Sequence, residues 1–258
     1  MFYILSFILG ASIGSFTQVI ATRLHVAPII KGRSKCLSCG EALRASDLVP
    51  VFSYFFLRGK CRYCKTPYGI SSVVIEVIFG AVFLALYHFI LRESPTLLVS
   101  SWWLAYYTIL FIVLGVMALY DRAHSFIPVS FLASFLVLTL LMFVIHLTTS
   151  FSLEVLLAPL IVASPFFFVW AITKRKGVGF GDVILFFGVG AFFGVYEGLA
   201  VFILSVWMGA IVGLYYKYVV TKNKTKTTAI PFVPFIVFSF LVVLFTGIDI
   251  FSIAFLFG

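Results

Sequence analysis

The chain has 258 residues, of which 63% are hydrophobic and only 10% are charged. A soluble domain is typically about 45–50% apolar and about 25% charged, so this composition excludes a soluble globular fold. It also excludes a disordered chain, which requires low hydrophobicity. Since a transmembrane helix uses about 20 apolar residues, the apolar total is enough for about eight helices. The composition therefore predicts an all-α polytopic membrane protein.

Eight hydrophobic segments follow one another along the chain. The first covers residues 1–22 and lacks a basic N-terminal region, so it reads as a retained span and not as a cleaved signal peptide. The other seven are predicted at 71–91, 97–120, 127–147, 153–173, 182–196, 198–219 and 229–248. This pattern predicts three parts, which are a first transmembrane helix (1–22), a cytoplasmic loop domain (23–70) and a seven-helix membrane domain (71–258).

The basic residues are distributed unevenly among the connections between these segments. All but one of the 18 lysines and arginines lie in the odd-numbered connections, and the exception is Arg92. By the positive-inside rule the odd-numbered connections are cytoplasmic and both termini face outward. The net charge of +9 is therefore explained mainly by membrane topology, and we do not expect nucleic-acid binding.

The polar loop at residues 23–70 carries a pattern typical of metal binding. It is too long for a simple connection and too short to build a large core. It contains two CxxC pairs, Cys36 with Cys39 and Cys61 with Cys64, separated by 21 residues. Two such pairs point four thiolates at one ion, which predicts a structural zinc site with no open position for catalysis. Free cysteines or a redox pair remain the alternative, although cytoplasmic thiols normally stay reduced.

Three of the nine acidic residues lie at predicted cytoplasmic ends of spans, namely Glu76, Asp121 and Asp182. Ionisable groups at membrane depth are costly and are candidates for function. Asp121 ends the third span and Asp182 opens the sixth, so the two can meet at one depth. Two adjacent carboxylates share a proton, so one acts as a base on water and the other as an acid. The pattern predicts aspartic-protease chemistry at the membrane edge.

Glycines alternate around Asp182, at Gly177, Gly179 and Gly181. Such glycines permit unusual backbone angles and close approach of a peptide. The hydrophobic run that follows is about fifteen residues long, against about twenty for a span, so this helix is expected to begin within the membrane thickness. Three alternatives remain open from the residues alone. The first is that Asp182 is an ordinary helix cap, and the second is that Asp121 is a surface partner of the adjacent arginine. The third is that both aspartates form the proton site of a transporter.

Taken together, five segments resemble the type IV prepilin peptidase family, with a GxGD aspartyl signature and a tetracysteine loop in the expected order. The resemblance covers nearly the whole chain. The segments are GSFTQVIATRL (14–24), the CLSC…CRYC loop with DLVPVFSYFFLRGKCRYC (47–64), YDRAHSFIP (120–128), GFGDV (179–183) and AIPFVPF (229–235).

The resemblance implies a bifunctional enzyme of the bacterial cytoplasmic membrane. Such enzymes remove the short basic leader of prepilin or pseudopilin precursors on the cytoplasmic side. They commonly then methylate the new N-terminus with S-adenosylmethionine. By motif, Asp121 and Asp182 correspond to the catalytic aspartates, and the four cysteines correspond to the family's cysteine tetrad. Glu76 lies where the family has a glutamate after the cysteine loop, which makes it the candidate residue for the second activity.

The chain departs from the family pattern at three positions. The family often has asparagine where Gln18 stands, lysine where Ile184 stands and glycine where Val233 stands. None of these residues belongs to the aspartate pair, so leader cleavage is the primary expectation and methyl transfer the secondary one. The alternatives are a member that only cleaves, a proton-coupled transporter, and an assembly protein whose zinc loop recruits cytosolic partners.

Overall fold

The computed structural model describes residues 2–26, 28, 33–36, 38–93, 96–174, 178–220 and 230–255, so Gly177 lies outside the described residues. Within these ranges the secondary structure is helical, and backbone pairing of the β type is limited to two isolated bridges. A 3-10 turn covers Ala45–Leu48 and a π-helical turn covers Tyr216–Val220. The α-helices are α1 (Phe2–Arg23), α2 (Phe52–Phe56), α3 (Ser71–Glu93), α4 (Leu97–His124), α5 (Val129–Thr149), α6 (Leu153–Ile172), α7 (Phe180–Phe193), α8 (Val195–Tyr215), α9 (Val233–Thr246) and α10 (Ile250–Phe255).

Six of these helices are long and apolar enough to cross a membrane, namely α1, α3, α4, α5, α6 and α8. The sixth and eighth predicted spans are shorter apolar helices, α7 and α9, each with 14 residues. At about 1.5 Å per residue, α7 is about 21 Å long, which is less than the roughly 30 Å of a hydrocarbon core. The all-helical, multi-pass membrane fold is confirmed. The short helix α10 was not predicted.

The described chain forms two compact units, with the boundary between Ile112 and Val113 inside α4. In the first unit α1 packs along α3. A Cβ at Gly10 would lie 2.5 Å from the Phe83 Cβ and 2.6 Å from the Phe79 carbonyl oxygen. Small residues of this kind let two membrane helices approach closely, so the glycine face of α1 determines this helix pair.

Helix α7 is the central element of the second unit, where it packs against α5, α6 and α8. Most of its residues between Val183 and Phe192 are buried, including Leu185 and Phe186. A helix surrounded by other helices is apolar on all faces, as α7 is. The packing therefore fixes the first turn of α7, which carries Asp182.

The contact between α6 and α7 depends on a glycine. A Cβ at Gly190 would lie 2.6 Å from the Ala158 carbonyl oxygen and 2.9 Å from the Pro159 Cα. Backbone atoms cannot rotate away, so Gly190→Ala is expected to lower the free energy of unfolding by about 1–3 kcal/mol. Thermal unfolding in detergent measures this. The control is Gly213→Ala in α8, whose Cβ would meet only the flexible end of Ile230 at 3.3 Å. Equal melting temperatures for the two variants would contradict the prediction.

Candidate active site and cysteine cluster

Asp121 and Asp182 line the same cavity in the second unit, which has a volume of about 860 Å³. Asp121 lies in the last turn of α4, and Asp182 lies in the first turn of α7. The structure thus brings together the two carboxylates that the sequence singled out, although they are 61 positions apart in the chain. The third candidate at a span end, Glu76, lies in the first unit.

The carboxylate of Asp121 is held by the start of α9. Asp121 is 5% exposed, and its Oδ2 accepts a hydrogen bond of 3.1 Å from the backbone N–H of Val233. Val233 is the first residue of α9, where backbone N–H groups have no partner inside the helix. The positive end of the helix dipole also lies there. This contact therefore orients the Asp121 carboxylate and offsets part of the cost of burying a charge.

A cluster of aromatic rings fixes the start of α9. The ring of Phe232, directly before Val233, stacks on Phe166 with a centroid distance of 5.3 Å. Phe166 also contacts Phe186 of α7 at 4.7 Å and Phe202 of α8 at 5.5 Å. Because these rings belong to three neighbouring helices, the backbone N–H that meets Asp121 is part of a packed core.

The two described glycines of the GFGD segment leave space beside the second carboxylate. A Cβ at Gly179 would lie 3.3 Å from the Asp182 Oδ2, and a Cβ at Gly181 would lie 3.1 Å from the Ile127 Cδ1. Neither residue has a positive φ, and Gly179 has an ordinary φ of −74°. In this structure the two glycines supply room for close approach, and not an unusual backbone angle.

Beyond the carboxylates, the wall of the cavity is mainly apolar. Its lining includes the apolar side chains of Ile127, Leu132, Phe166, Phe180, Phe232 and Phe235. A low-dielectric wall strengthens the interactions of any charge inside it. Two carboxylates in such a cavity can share one proton and activate a water molecule, so the arrangement is suited to acid–base hydrolysis.

The hydrogen bond from Val233 to Asp121 was missed in the sequence analysis, which noted Val233 only as a departure from the family pattern. The available signal was the pair Pro231 and Pro234, because proline is favoured at the start of a helix and the first N–H groups of a helix seek an acceptor. The packed core accommodates the Val233 side chain, which is 1% exposed, at the position where the family often has glycine.

The four cysteines of the polar loop form one cluster in the first unit. All four sulfur atoms lie within 4.8 Å of one another, and the Sγ atoms of Cys36 and Cys64 are 3.8 Å apart. A tetrahedral zinc site with Zn–S bonds of about 2.3 Å requires sulfur atoms about 3.8 Å apart. All four are free thiols, with Cys36 and Cys61 buried and Cys39 and Cys64 exposed. The cluster can therefore bind a metal ion.

Each cysteine pair lies on a similar tight turn. The N–H of the residue after each pair donates to the carbonyl oxygen of the pair's first cysteine, from Gly40 to Cys36 at 2.8 Å and from Lys65 to Cys61 at 3.1 Å. Both residues have a positive φ, of 74° at Gly40 and 60° at Lys65. The second turn thus has a lysine where the first has a glycine.

Lys65→Gly is expected to tighten metal binding. A left-handed backbone costs a non-glycine residue about 1–2 kcal/mol, and glycine loses about 0.5–1 kcal/mol more entropy on folding, so the net gain is about 0.5–1 kcal/mol. This corresponds to metal affinity higher by about two- to five-fold. Competition with a chelator measures the affinity. Lys60→Gly is the control, since Lys60 does not have a positive φ. An equal gain in both variants would contradict the prediction.

An ion pair between a buried aspartate and an exposed arginine connects the second cysteine turn to the rest of the loop. The Oδ1 of Asp47 accepts hydrogen bonds from the Nε of Arg62 at 2.9 Å and from its Nη2 at 2.6 Å. The Asp47 side chain is 1% exposed, and the Arg62 guanidinium holds the pKa of this carboxyl below its usual value. Since Arg62 lies between Cys61 and Cys64, the pair stabilises the geometry of the cluster.

Glu76 lies on α3, where it is 9% exposed and accepts a hydrogen bond of 2.7 Å from the backbone N–H of Val51. Val51 has φ 64° and ψ −53°, and the Phe52 N–H donates to the Pro50 carbonyl at 2.6 Å, which defines a γ-turn. This conformation is strained for a β-branched residue. The Glu76 carboxylate thus stabilises a strained turn after the first cysteine pair, and its role in a second activity stays a prediction.

Comparison with known proteins identifies the family. Residues 8–90 match the Bacterial Peptidase A24 N-terminal domain, and residues 108–214 match the Type IV leader peptidase family. No solved structure matches the chain.

Several relatives carry the name "Prepilin leader peptidase/N-methyltransferase". One from Bacillus subtilis (strain 168) is 30% identical over 235 residues, which cover 88% of each chain. One from Burkholderia pseudomallei (strain 1026b) is 31% identical, with 80% of this chain and 74% of the relative covered. One from Myxococcus xanthus (strain DK1622) is 26% identical, and the match covers 83% of this chain but 63% of the relative. The chain belongs to the type IV leader peptidase family.

Proposed function

We propose that the chain is an aspartic endopeptidase that cuts at the cytoplasmic edge of the membrane, with Asp121 and Asp182 as its catalytic pair. The observation that carries this proposal is that both carboxylates line one apolar-walled cavity. The substrate is a type IV prepilin or pseudopilin precursor, from which the enzyme removes the short basic leader. Family membership and the names of the relatives support this substrate class.

In the proposed reaction the pair holds one proton. The unprotonated carboxylate takes a proton from a water molecule, whose oxygen attacks the carbonyl carbon of the scissile peptide bond. The protonated carboxyl donates to the carbonyl oxygen as negative charge develops there. The C–N bond of the tetrahedral intermediate then breaks. The leaving nitrogen takes a proton from the pair, and one hydroxyl of the intermediate returns its proton to the pair as the new carboxyl group forms. The contact from Val233 keeps the Asp121 carboxylate in one orientation throughout, which favours a productive geometry.

The second proposed activity is methylation of the amino group that cleavage exposes. S-adenosylmethionine would supply the methyl group, and the names of the relatives support this step. Glu76 is the candidate residue, because a carboxylate fixed by a backbone N–H can orient the neutral amino group and take up the proton that this group loses on methylation. The three relatives described above all carry a name that combines leader peptidase and N-methyltransferase, so both activities are proposed together for this chain.

We further propose that the cysteine cluster holds a structural zinc ion and that the loop is cytoplasmic. The sulfur distances and the four-thiolate donor set support zinc, which is held by such sets in structural sites. The uneven distribution of lysines and arginines supports an orientation with both termini outside. Membership of the family supports a location in the bacterial cytoplasmic membrane. The partners are then the precursor proteins and the lipid bilayer.

Mass spectrometry of a purified prepilin precursor after incubation with the enzyme tests the proposal. Loss of the leader is the expected result without S-adenosylmethionine, and a further methyl mass on the product is expected with it. A cleaved product that never gains a methyl group would contradict the second activity alone. An intact precursor, together with solute flux in liposomes that contain the enzyme, would favour the transporter alternative and contradict the peptidase.

A further inference from the structure

An apolar groove lies beside the aspartate cavity in the second unit. It has a volume of about 600 Å³ and is lined by residues of α5, α6 and α7. Two of these residues, Phe180 and Ile184, line both the groove and the cavity that holds the carboxylates. The groove therefore adjoins the proposed active site at these two residues.

The groove follows from the way three helices pack. Helices α5 and α6 are consecutive and joined only by residues 150–152, but both pack mainly against α7 and scarcely against each other. Their shared partner α7 has 14 residues, whereas α5 has 21 and α6 has 20. A short central helix between two longer ones leaves space along their length, and α7 forms the floor of that space.

We propose that this groove binds the apolar membrane-spanning helix of the precursor while the scissile bond lies at Asp121 and Asp182. The inference rests on the proposed function and names the route by which the substrate reaches the site. Leu160 and Phe168 on α6 are each 60% exposed, although they line the groove. Ala163 and Ser164 lie between them and are small, and small residues let a second helix approach closely.

The chemistry of the lining favours a helix that is apolar over its whole face. Apart from Ser164, the lining side chains are aliphatic or aromatic. The Ser164 hydroxyl donates to the Ile161 carbonyl of its own helix at 2.8 Å, so it is already paired. An apolar helix in an apolar groove is a common mode of peptide recognition. A lipid chain also suits such a surface. Only a peptide, however, can place a peptide bond at the two carboxylates beside the groove.

Filling the groove with a large side chain tests the route. Ser164→Trp is expected to lower kcat/KM by at least about ten-fold for the full precursor, whose helix must lie in the groove. It is expected to leave unchanged the cleavage of a soluble peptide that contains the leader junction but no apolar helix. The matched control is Ser134→Trp on α5, since Ser134 is exposed, is also bonded to its own helix and does not line the groove. Equal rates for the two variants on the full precursor would overturn the proposal.

Photo-crosslinking gives an independent readout that does not depend on activity. The photoreactive residue benzoylphenylalanine replaces Phe168 in the groove or Phe238 on α9, which is 52% exposed and outside it. Both variants are made in an Asp182→Asn background, so that bound precursor stays intact. We expect an adduct with the precursor's apolar helix from position 168 and none from position 238. Adducts with only lipid, or with only a second copy of the enzyme, would overturn the proposal.

The two proposals fail in different ways. If the wild-type enzyme cleaves the precursor but position 168 forms no adduct with it, the groove proposal is wrong and the peptidase stands. If the wild-type enzyme cleaves neither the precursor nor the peptide, the peptidase itself is contradicted.

Discussion

Replacing Asp121 or Asp182 by asparagine is expected to lower the rate of leader cleavage by at least about 10³-fold, because asparagine cannot take up or release the proton that the reaction moves. The fold should persist, since asparagine has nearly the same shape. At position 121 its amide oxygen can still accept the hydrogen bond from the Val233 N–H. Single-turnover cleavage of a precursor, followed by mass spectrometry, measures the rates.

The double variant is expected to be no slower than either single variant, because two residues that act as one unit give non-additive effects. A conservative Asp182→Glu change keeps the acid but moves it by one methylene, which should lower the rate of leader cleavage by about 10²-fold.

Asp249→Asn is the matched control. The Asp249 carboxylate caps the start of α10 through Ser252 and does not line the cavity, so this variant should cleave as the wild type does. Full activity in Asp121→Asn or Asp182→Asn would refute the peptidase.

The parts of the fold and site that could be predicted are those with a local signal. Hydrophobic runs and their flanking charges gave eight helices close to their observed positions, because the thickness of a bilayer sets the length of an apolar segment. The spacing of the CxxC pairs indicated the cysteine cluster, since two cysteines three positions apart share one turn. The aspartates stood out because charges at membrane depth are rare.

The remaining features depend on contacts between distant parts of the chain. The Val233 N–H meets Asp121 across 112 positions, so no local pattern relates them. The groove exists because α5 and α6 pack on α7 rather than on each other, which is a property of the packed helices and not of any one segment. Even within the cysteine loop, the sequence could not predict the positive φ of Lys65, because lysine has no preference for that conformation.

Cys61→Ser is expected to weaken metal binding by at least about 10²-fold. Structural zinc contributes about 10–16 kcal/mol of binding free energy in small zinc domains, and one of four ligands supplies a substantial share of it. Cys61 is buried, so its loss also leaves a polar hydroxyl in place of a ligand. Because so short a loop has little core of its own, binding of the metal and folding of the loop should be lost together. Metal content by atomic emission and limited proteolysis of residues 33–70 measure the two effects.

Ser38→Ala is the matched control for this prediction, since Ser38 lies in the first CxxC turn but supplies no sulfur. It should retain both the metal and resistance to protease. The same pair of measurements also separates a zinc site from a redox pair. A strong chelator should make residues 33–70 of the wild type as sensitive to protease as in Cys61→Ser, and a disulfide reductant should have no effect. The opposite pattern would mean that the cysteines act as a redox pair, because a disulfide responds to reductant and is indifferent to chelation.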